Sequence, residues 1–127
     1  MKPILGYWKT RGVSAAIVYQ LKYQKIDFDI VEYERGEAPD FSGHEWLDVK
    51  FKLGMQFPNL PYFWDGDFKL SESLAIHKYI ADKWQPELLG RDPEERAKVN
   101  MLAGVVSDLQ WAVRWPCYSS PEKEPIF

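Results

Sequence analysis

Apolar and polar residues change their period several times along this chain, and each change marks an element. Pro3–Trp8 (PILGYW) is a short apolar run broken only by Gly6, the pattern of a buried strand. After the turn-like Arg11-Gly12, residues Ala15, Ile17, Val18 and Leu21 recur at helical spacing and predict a helix over Ser14–Tyr23. Asp27–Glu34 (DFDIVEYE) alternates, Phe28 and Ile30 on one side and Val31 and Tyr33 on the other, which predicts a second strand. Strand, helix, strand with short connections is a βαβ unit. From Gly36 to Lys52 the chain is polar and loop-like, with one helical turn expected around Glu45–Lys50.

Asn59–Trp64 is strand-like again, Asp65-Gly66 is a hairpin dipeptide, and Asp67–Leu70 is the returning strand. Ser71-Glu72-Ser73 offers side-chain caps for a helix whose apolar stripe is Leu74, Ile76, Tyr79, Ile80 and the stem of Lys83, with His77 facing solvent. Pro86 and Gly90 punctuate a linker. Asp92-Pro93-Glu94-Glu95 then starts a long helix, with Asp at the cap and Pro at the first helical position. Pro61 lacks an N–H, so it is expected at the first residue of its strand, where a cis bond is open to it. A βαβ unit, then a hairpin and a helix, with such a proline between them, is the thioredoxin-like arrangement of an α/β fold. The chemistry usual to that arrangement is absent, because no cysteine pair follows the first strand. Tyr7 stands at that strand's end instead.

Composition narrows the classes further. The chain has 127 residues, and 16 Lys+Arg against 19 Asp+Glu leave a net charge of −3, which argues against nucleic-acid and anionic-membrane partners. With 46% apolar and 16% aromatic residues it is no disordered tail. No run approaches the roughly 18 apolar residues of a spanning helix, and no charged-then-apolar leader precedes Pro3. The single cysteine, Cys117, excludes an intrachain disulfide and a paired-cysteine metal site, and is expected to be a small apolar residue. A soluble, cytoplasmic protein without a metal is the expectation.

PILGYW at the start, WLDVKFKLG from Trp46, FPNLPY from Phe57, SES and AIHKYIA from Ser71, and ERAKVNMLAGVVSD from Glu95 together resemble the mu class of glutathione transferases. The resemblance runs from Pro3 to about Tyr118. It implies a thioredoxin-like, glutathione-binding domain over residues 1–84, a linker at 85–91, and the start of an all-helical domain at 92–127. It also implies an activity, the addition of the glutathione thiolate to hydrophobic electrophiles, with glutathione as co-substrate and no cofactor.

Site residues follow from the matched positions. Tyr7 would donate to the thiolate, and Trp8 and Val13 would line the same site. A free thiol has a pKa near ~8.5, so a donor that favours the anion is what the chemistry needs. Leu60 would offer its main chain to the cysteinyl backbone, with Asn59 beside it. Glu72 and Ser73 would hold the γ-glutamyl group at a helix N-terminus. Trp46 and Lys50 would hold the glycyl end. Asp108 would reach the γ-glutamyl amine of a partner subunit in a homodimer, Phe57 would insert into that partner, and Tyr118 would line the electrophile pocket.

Each of these residues has a plainer role open to it: core packing for Tyr7, Trp46 and Phe57, and solvated surface charge for Lys50 and Asp108. The chain departs from the mu pattern at Glu72, where Gln is usual, at Gly43-His44, where some members carry a basic residue, and at Val13, where Leu is common. The final helix has a wide apolar stripe, Met101, Leu102, Val105, Val106, Leu109, Ala112 and Val113, which further helices cover in the family. The expectation is therefore a dimer or larger assembly, with Phe57 and the Met101–Val113 face in its contacts, or else aggregation. A glutathione- or hydrophobic-ligand-binding protein with little turnover, and a structural module reusing the fold, stand as the alternatives.

Overall fold

In the computed structural model, which describes residues 1–118, β1 (Ile4–Trp8) lies between two neighbours in a four-stranded sheet. It runs parallel to β2 (Asp29–Tyr33) and antiparallel to β3 (Tyr62–Asp65), and β3 pairs antiparallel with β4 (Phe68–Ser71), giving the order β2-β1-β3-β4. The helices are α1 (Ser14–Tyr23), α2 (His44–Leu47), α3 (Ser73–Trp84) and α4 (Pro93–Tyr118), with a short 3-10 turn at Pro86–Leu89. Two compact units divide at Gln85/Pro86.

In the first unit β1 is used on both faces. Leu5 joins Ile17 and Leu21 of α1, Phe63 of β3, and Ile76 and Ile80 of α3 in a core from which solvent is excluded. Each such side chain is worth about 1.5–3 kcal/mol on burial. On the opposite face Gly6 pairs with Tyr62, whose ring occupies the space a Cβ at residue 6 would need. Tyr62 stacks on Trp64 with ring centroids 4.8 Å apart, and Trp46 of α2 and Tyr33 of β2 complete an aromatic layer.

The predicted elements are found, with physical differences at their edges. The hairpin loop is Gly66-Asp67, because Asp65 still pairs with Phe68 and Gly66 takes the positive φ of 62° that the turn requires. Asp65 instead anchors the hairpin to α3: its carboxylate accepts from Tyr79 Oη at 2.6 Å and from Lys83 Nζ. Burial alone would raise that carboxyl, but the Lys83 and Tyr79 hydrogen bonds outweigh it and hold it below the usual range. Leu74 does not join the buried stripe of α3; Ala81 does. Pro61 lies one residue before β3, after a cis Leu60–Pro61 bond, and Ala38–Pro39 is also cis.

His77 faces inward rather than to solvent. Its Nδ1 lies 2.5 Å from Gln20 Oε1, and Gln20 Nε2 donates to the His77 carbonyl at 3.0 Å, so the pair ties α1 to α3. Burial pushes the imidazole below its ordinary value. The neutral ring is thus the folded form, and protonation has to be driven against the fold. That penalty is absent above the unfolded value of about 6.5 and grows as the pH falls from there towards the lowered folded value. Urea midpoints of the wild type should therefore drop more than those of His77→Gln between about pH 8 and about pH 5.5; parallel curves would mean that this ring does not titrate against the fold.

The second unit is governed by its helix start. Asp92 Oδ1 accepts from the Glu95 N–H at 2.9 Å and caps α4, and Glu95 Oε2 reaches back to accept from the N–H of Arg91, the residue before the cap, at 2.9 Å. Along the helix Met101, Leu102, Val105, Val106, Leu109, Trp111 and Val113 are exposed, and so is Cys117, which is not packed as a small apolar residue. Among the described residues no helix is long and apolar enough to cross a membrane.

Candidate functional site

Tyr7 lies near the C-terminal end of β1, on the same face as Leu5, and is almost fully buried. The chain must turn sharply before α1, and Gly12 makes this possible with φ at 35°. A Cβ on residue 12 would lie 2.6 Å from the Tyr7 hydroxyl. With that space clear, the Val13 N–H donates to Tyr7 Oη at 3.2 Å. The phenol oxygen therefore accepts from the main chain, and its own proton is left for another acceptor. The start of α1 is fixed by Ser14 Oγ, which donates to the Arg11 carbonyl at 3.2 Å. A cleft of about 170 Å³ opens here, with Tyr7, Arg11, Ser14, Val18, Ile30 and Glu32 among its walls. Trp8, one residue on, points to the other face, where the Arg35 guanidinium lies 4.6 Å over its ring.

A second group gathers where β3 begins and α3 starts. Asn59 Oδ1 accepts from the Leu60 N–H at 2.9 Å, so the main-chain donor expected to be open is occupied by its neighbour's side chain. Ser71 does not cap α3; its hydroxyl donates to the Phe57 carbonyl at 2.5 Å and ties the Phe57–Leu60 segment to the residue before Glu72. The Phe57 ring is 70% exposed and is not core. Glu72, the N-cap of α3, adopts φ 71° and ψ 112° and makes no side-chain capping bond, and its carbonyl accepts from the Ile76 N–H at 2.9 Å. A non-glycine residue there costs about 1–3 kcal/mol, and such strain concentrates at ligand clamps. Ser73 then opens a helix whose first N–H groups have no side-chain cap among the described residues, a position that favours an anion.

On the opposite face of the sheet Trp46 is 3% exposed, so it is packed in the aromatic layer as well as being a candidate contact. Lys50 is half-buried, its Nζ 5.4 Å from the centre of the Phe51 ring. Asp108 is exposed on α4 in the second unit. Tyr118 is the last residue of α4, and its side chain lies outside the described residues. No group of three or more His, Cys, Asp or Glu side chains able to hold a metal occurs among the described residues. Sequence reasoning missed Gly12 and the Val13 amide as partners of Tyr7; the only available signal was a glycine within reach of the strand end.

The model of the glutathione S-transferase N-terminal domain matches residues 3–82, and the chain belongs to that family. A class-mu 26 kDa glutathione S-transferase of Schistosoma japonicum is 45% identical over 119 residues, covering 94% of this chain and 51% of the relative. Glutathione S-transferase Mu 1 of Bos taurus is 44% identical over 126 residues, or 99% of this chain and 56% of the relative. The crystal structure of the glutathione S-transferase Blo t 8 superposes with a TM-score of 0.79 at 34% identity, covering 94% of this chain and 52% of that one. The chain thus spans about half the length of the curated relatives it matches. Its sheet with α1, α2 and α3 is the thioredoxin-like fold of a glutathione S-transferase N-terminal domain, and the long helix α4 follows it.

The packing of Gly12 against Tyr7 makes a direct prediction. Gly12→Ala should lower the unfolding free energy by about 1–3 kcal/mol, through the positive φ and the contact with the hydroxyl, and should shift the Tyr7 ring resonances. Unchanged urea midpoints together with unmoved resonances would show that residue 12 does not set the hydroxyl's place.

Proposed function

We propose that this chain carries the glutathione-binding half of a cytoplasmic, homodimeric glutathione transferase that joins the glutathione sulfur to hydrophobic electrophiles. The observation that carries the reading is the Val13 N–H donating to Tyr7 Oη. A tyrosine whose oxygen is already an acceptor, near the end of a buried strand, is prepared to donate its proton to an anion. The family match and the relatives named glutathione S-transferase support the choice of glutathione as the ligand that brings this anion.

A thiol with a pKa of about 8.5 is only a few per cent ionised at pH 7. A hydrogen bond from Tyr7 to the sulfur favours the thiolate, and each unit by which it lowers the thiol pKa corresponds to about 1.4 kcal/mol. The thiolate then attacks the electrophilic carbon. With a nitroaromatic halide a C–S bond forms, the C–halogen bond breaks, halide leaves, and the thiol proton goes to solvent. The Tyr7 proton stays on its oxygen.

The rest of the tripeptide is held by the other candidate residues. The γ-glutamyl carboxylate sits at the open N-terminus of α3, against Ser73, and the Glu72 carboxylate accepts from the γ-glutamyl ammonium. Asn59 swings off the Leu60 amide, which then pairs with the cysteinyl backbone. Trp46 and Lys50 take the glycyl carboxylate. Val13 borders the sulfur, and Trp8 lines the glutathione site from the other face of the sheet. Asp108 serves the amine of the partner's glutathione, Phe57 is the anchor between subunits, and Tyr118 faces the electrophile. The exposed Phe57 ring supports the dimer, since an aromatic side chain held outward is a natural interface anchor.

Retention on immobilised glutathione, followed by conjugation to a nitroaromatic halide, tests the proposal. Tyr7→Phe should bind glutathione nearly as well as wild type but turn over about 10–100-fold more slowly, equivalent to roughly 1.4–2.7 kcal/mol. Its rate should also rise with pH later than that of the wild type, because the thiol keeps its proton longer. A Phe variant with wild-type turnover at neutral pH would remove Tyr7 from the chemistry.

A further inference from the structure

The Tyr33 hydroxyl, at the end of β2, lies 3.0 Å from the hydroxyl of Tyr62. Tyr62 is fully buried, with its ring against Gly6, so its hydroxyl cannot turn to water and depends on this partner. Burial pushes the Tyr62 phenol well above its ordinary range, and the Tyr33 hydroxyl adds to the rise. Both rings also hold Trp46: Tyr33 meets it edge-on, with centroids 5.3 Å apart and planes at 63°, and Tyr62 stacks on it at 6.1 Å and 29°.

The end of β2 grips α2 a second time. Glu45, the residue before Trp46, accepts from the Glu34 N–H at 2.6 Å, and Glu34 follows Tyr33. One contact runs from main chain to carboxylate and the other from ring to ring, on adjacent residues of each element. None of them uses the Trp46 indole N–H. The hydroxyl pair fixes how the Tyr33 and Tyr62 rings stand relative to each other, and both rings pack against Trp46, one edge-on and one stacked.

We infer that Tyr33 is a positioning residue: through its hydroxyl pair with Tyr62 it sets the plane of Trp46 and so aims the indole N–H at the glycyl carboxylate, a role that rests on the glutathione site proposed above. Tyr33 and Trp46 lie on the sheet face opposite Tyr7. Tyr33 should accordingly govern how tightly the glycyl end is held and leave the ionisation of the sulfur alone.

The experiment compares glutathione with γ-glutamylcysteine, which lacks the glycyl residue, by calorimetry on the whole chain. Wild type should prefer glutathione. Tyr33→Phe should weaken glutathione by roughly 3–10-fold, the worth of one neutral hydrogen bond, with the dipeptide's affinity and the pH profile of conjugation unchanged. Tyr62→Phe removes the same bond from the other side and should reproduce the selective loss, which keeps the test open if Tyr33→Phe folds poorly. Equal weakening of both ligands, or no change in either, overturns the positioning role while leaving the glutathione site intact. If wild type binds neither ligand, the glutathione site and the positioning role fall together.

Discussion

A side chain at residue 6 would collide with the Tyr62 ring, and much of the first unit follows from that one missing Cβ. Because the strand has nothing to present at Gly6, Tyr62 of the neighbouring strand can lie flat against it, and Trp46 and Tyr33 can close over Tyr62. The same strand's other face carries Leu5 into the aliphatic core and Tyr7 to the turn before α1. A strand of five residues thus separates two kinds of interior. One is mainly aliphatic, with Phe63 among its members, and is shared with two helices. The other is aromatic, with hydroxyl groups that must find each other. Gly6 costs the strand backbone entropy, and the close approach of the ring offsets that cost.

The two long helices that begin after short connections, α3 and α4, are started in opposite ways, and the contrast bears on the site. At α4, Asp92 and Glu95 satisfy main-chain donors with side chains, so the end is capped. At α3 the residue in the same place is Glu72, strained and without a capping bond, while the serine that could have capped is drawn away to the Phe57 carbonyl. Given that Ser, Asp and Asn caps are worth about 0.5–2 kcal/mol, leaving one end without a side-chain cap and its N-cap residue strained is a cost that the packing of Ile76 and Ile80 carries. Unpaired N–H donors at a helix start are what an anion would satisfy.

Periodicity made the fold legible in the sequence because its elements are short, amphipathic and sharply punctuated. Ser14–Tyr23 is bounded by a turn and a change of period, and the helix has the expected limits. Contacts between residues far apart in sequence were not legible. Gln20 and His77 are 57 residues apart, and nothing near either one marks the hydrogen bonds that turn His77 inward. The hairpin loop moved by one residue because either dipeptide around Gly66 offers a turn signal, and cross-strand pairing, not local preference, decides between them. In the candidate site, Tyr7 was found through motif resemblance. Its partner was a main-chain N–H, which no residue type advertises.

How α4 holds its shape sharpens the division between local and tertiary control. None of the described residues between 93 and 117 is buried. What specifies the helix is local: the Asp92 cap, Pro93 with its preset φ, and Glu94 and Glu95 in the first turn, where the helix dipole favours acidic groups. Most helical stability in proteins comes from covering an apolar face. Met101, Val105, Leu109 and their neighbours form such a face and are exposed. The start of this helix is written into the helix itself, and its apolar face is exposed among the described residues. The first unit does the reverse: α3 has a strained, open start, and its stability rests on side chains buried against the sheet.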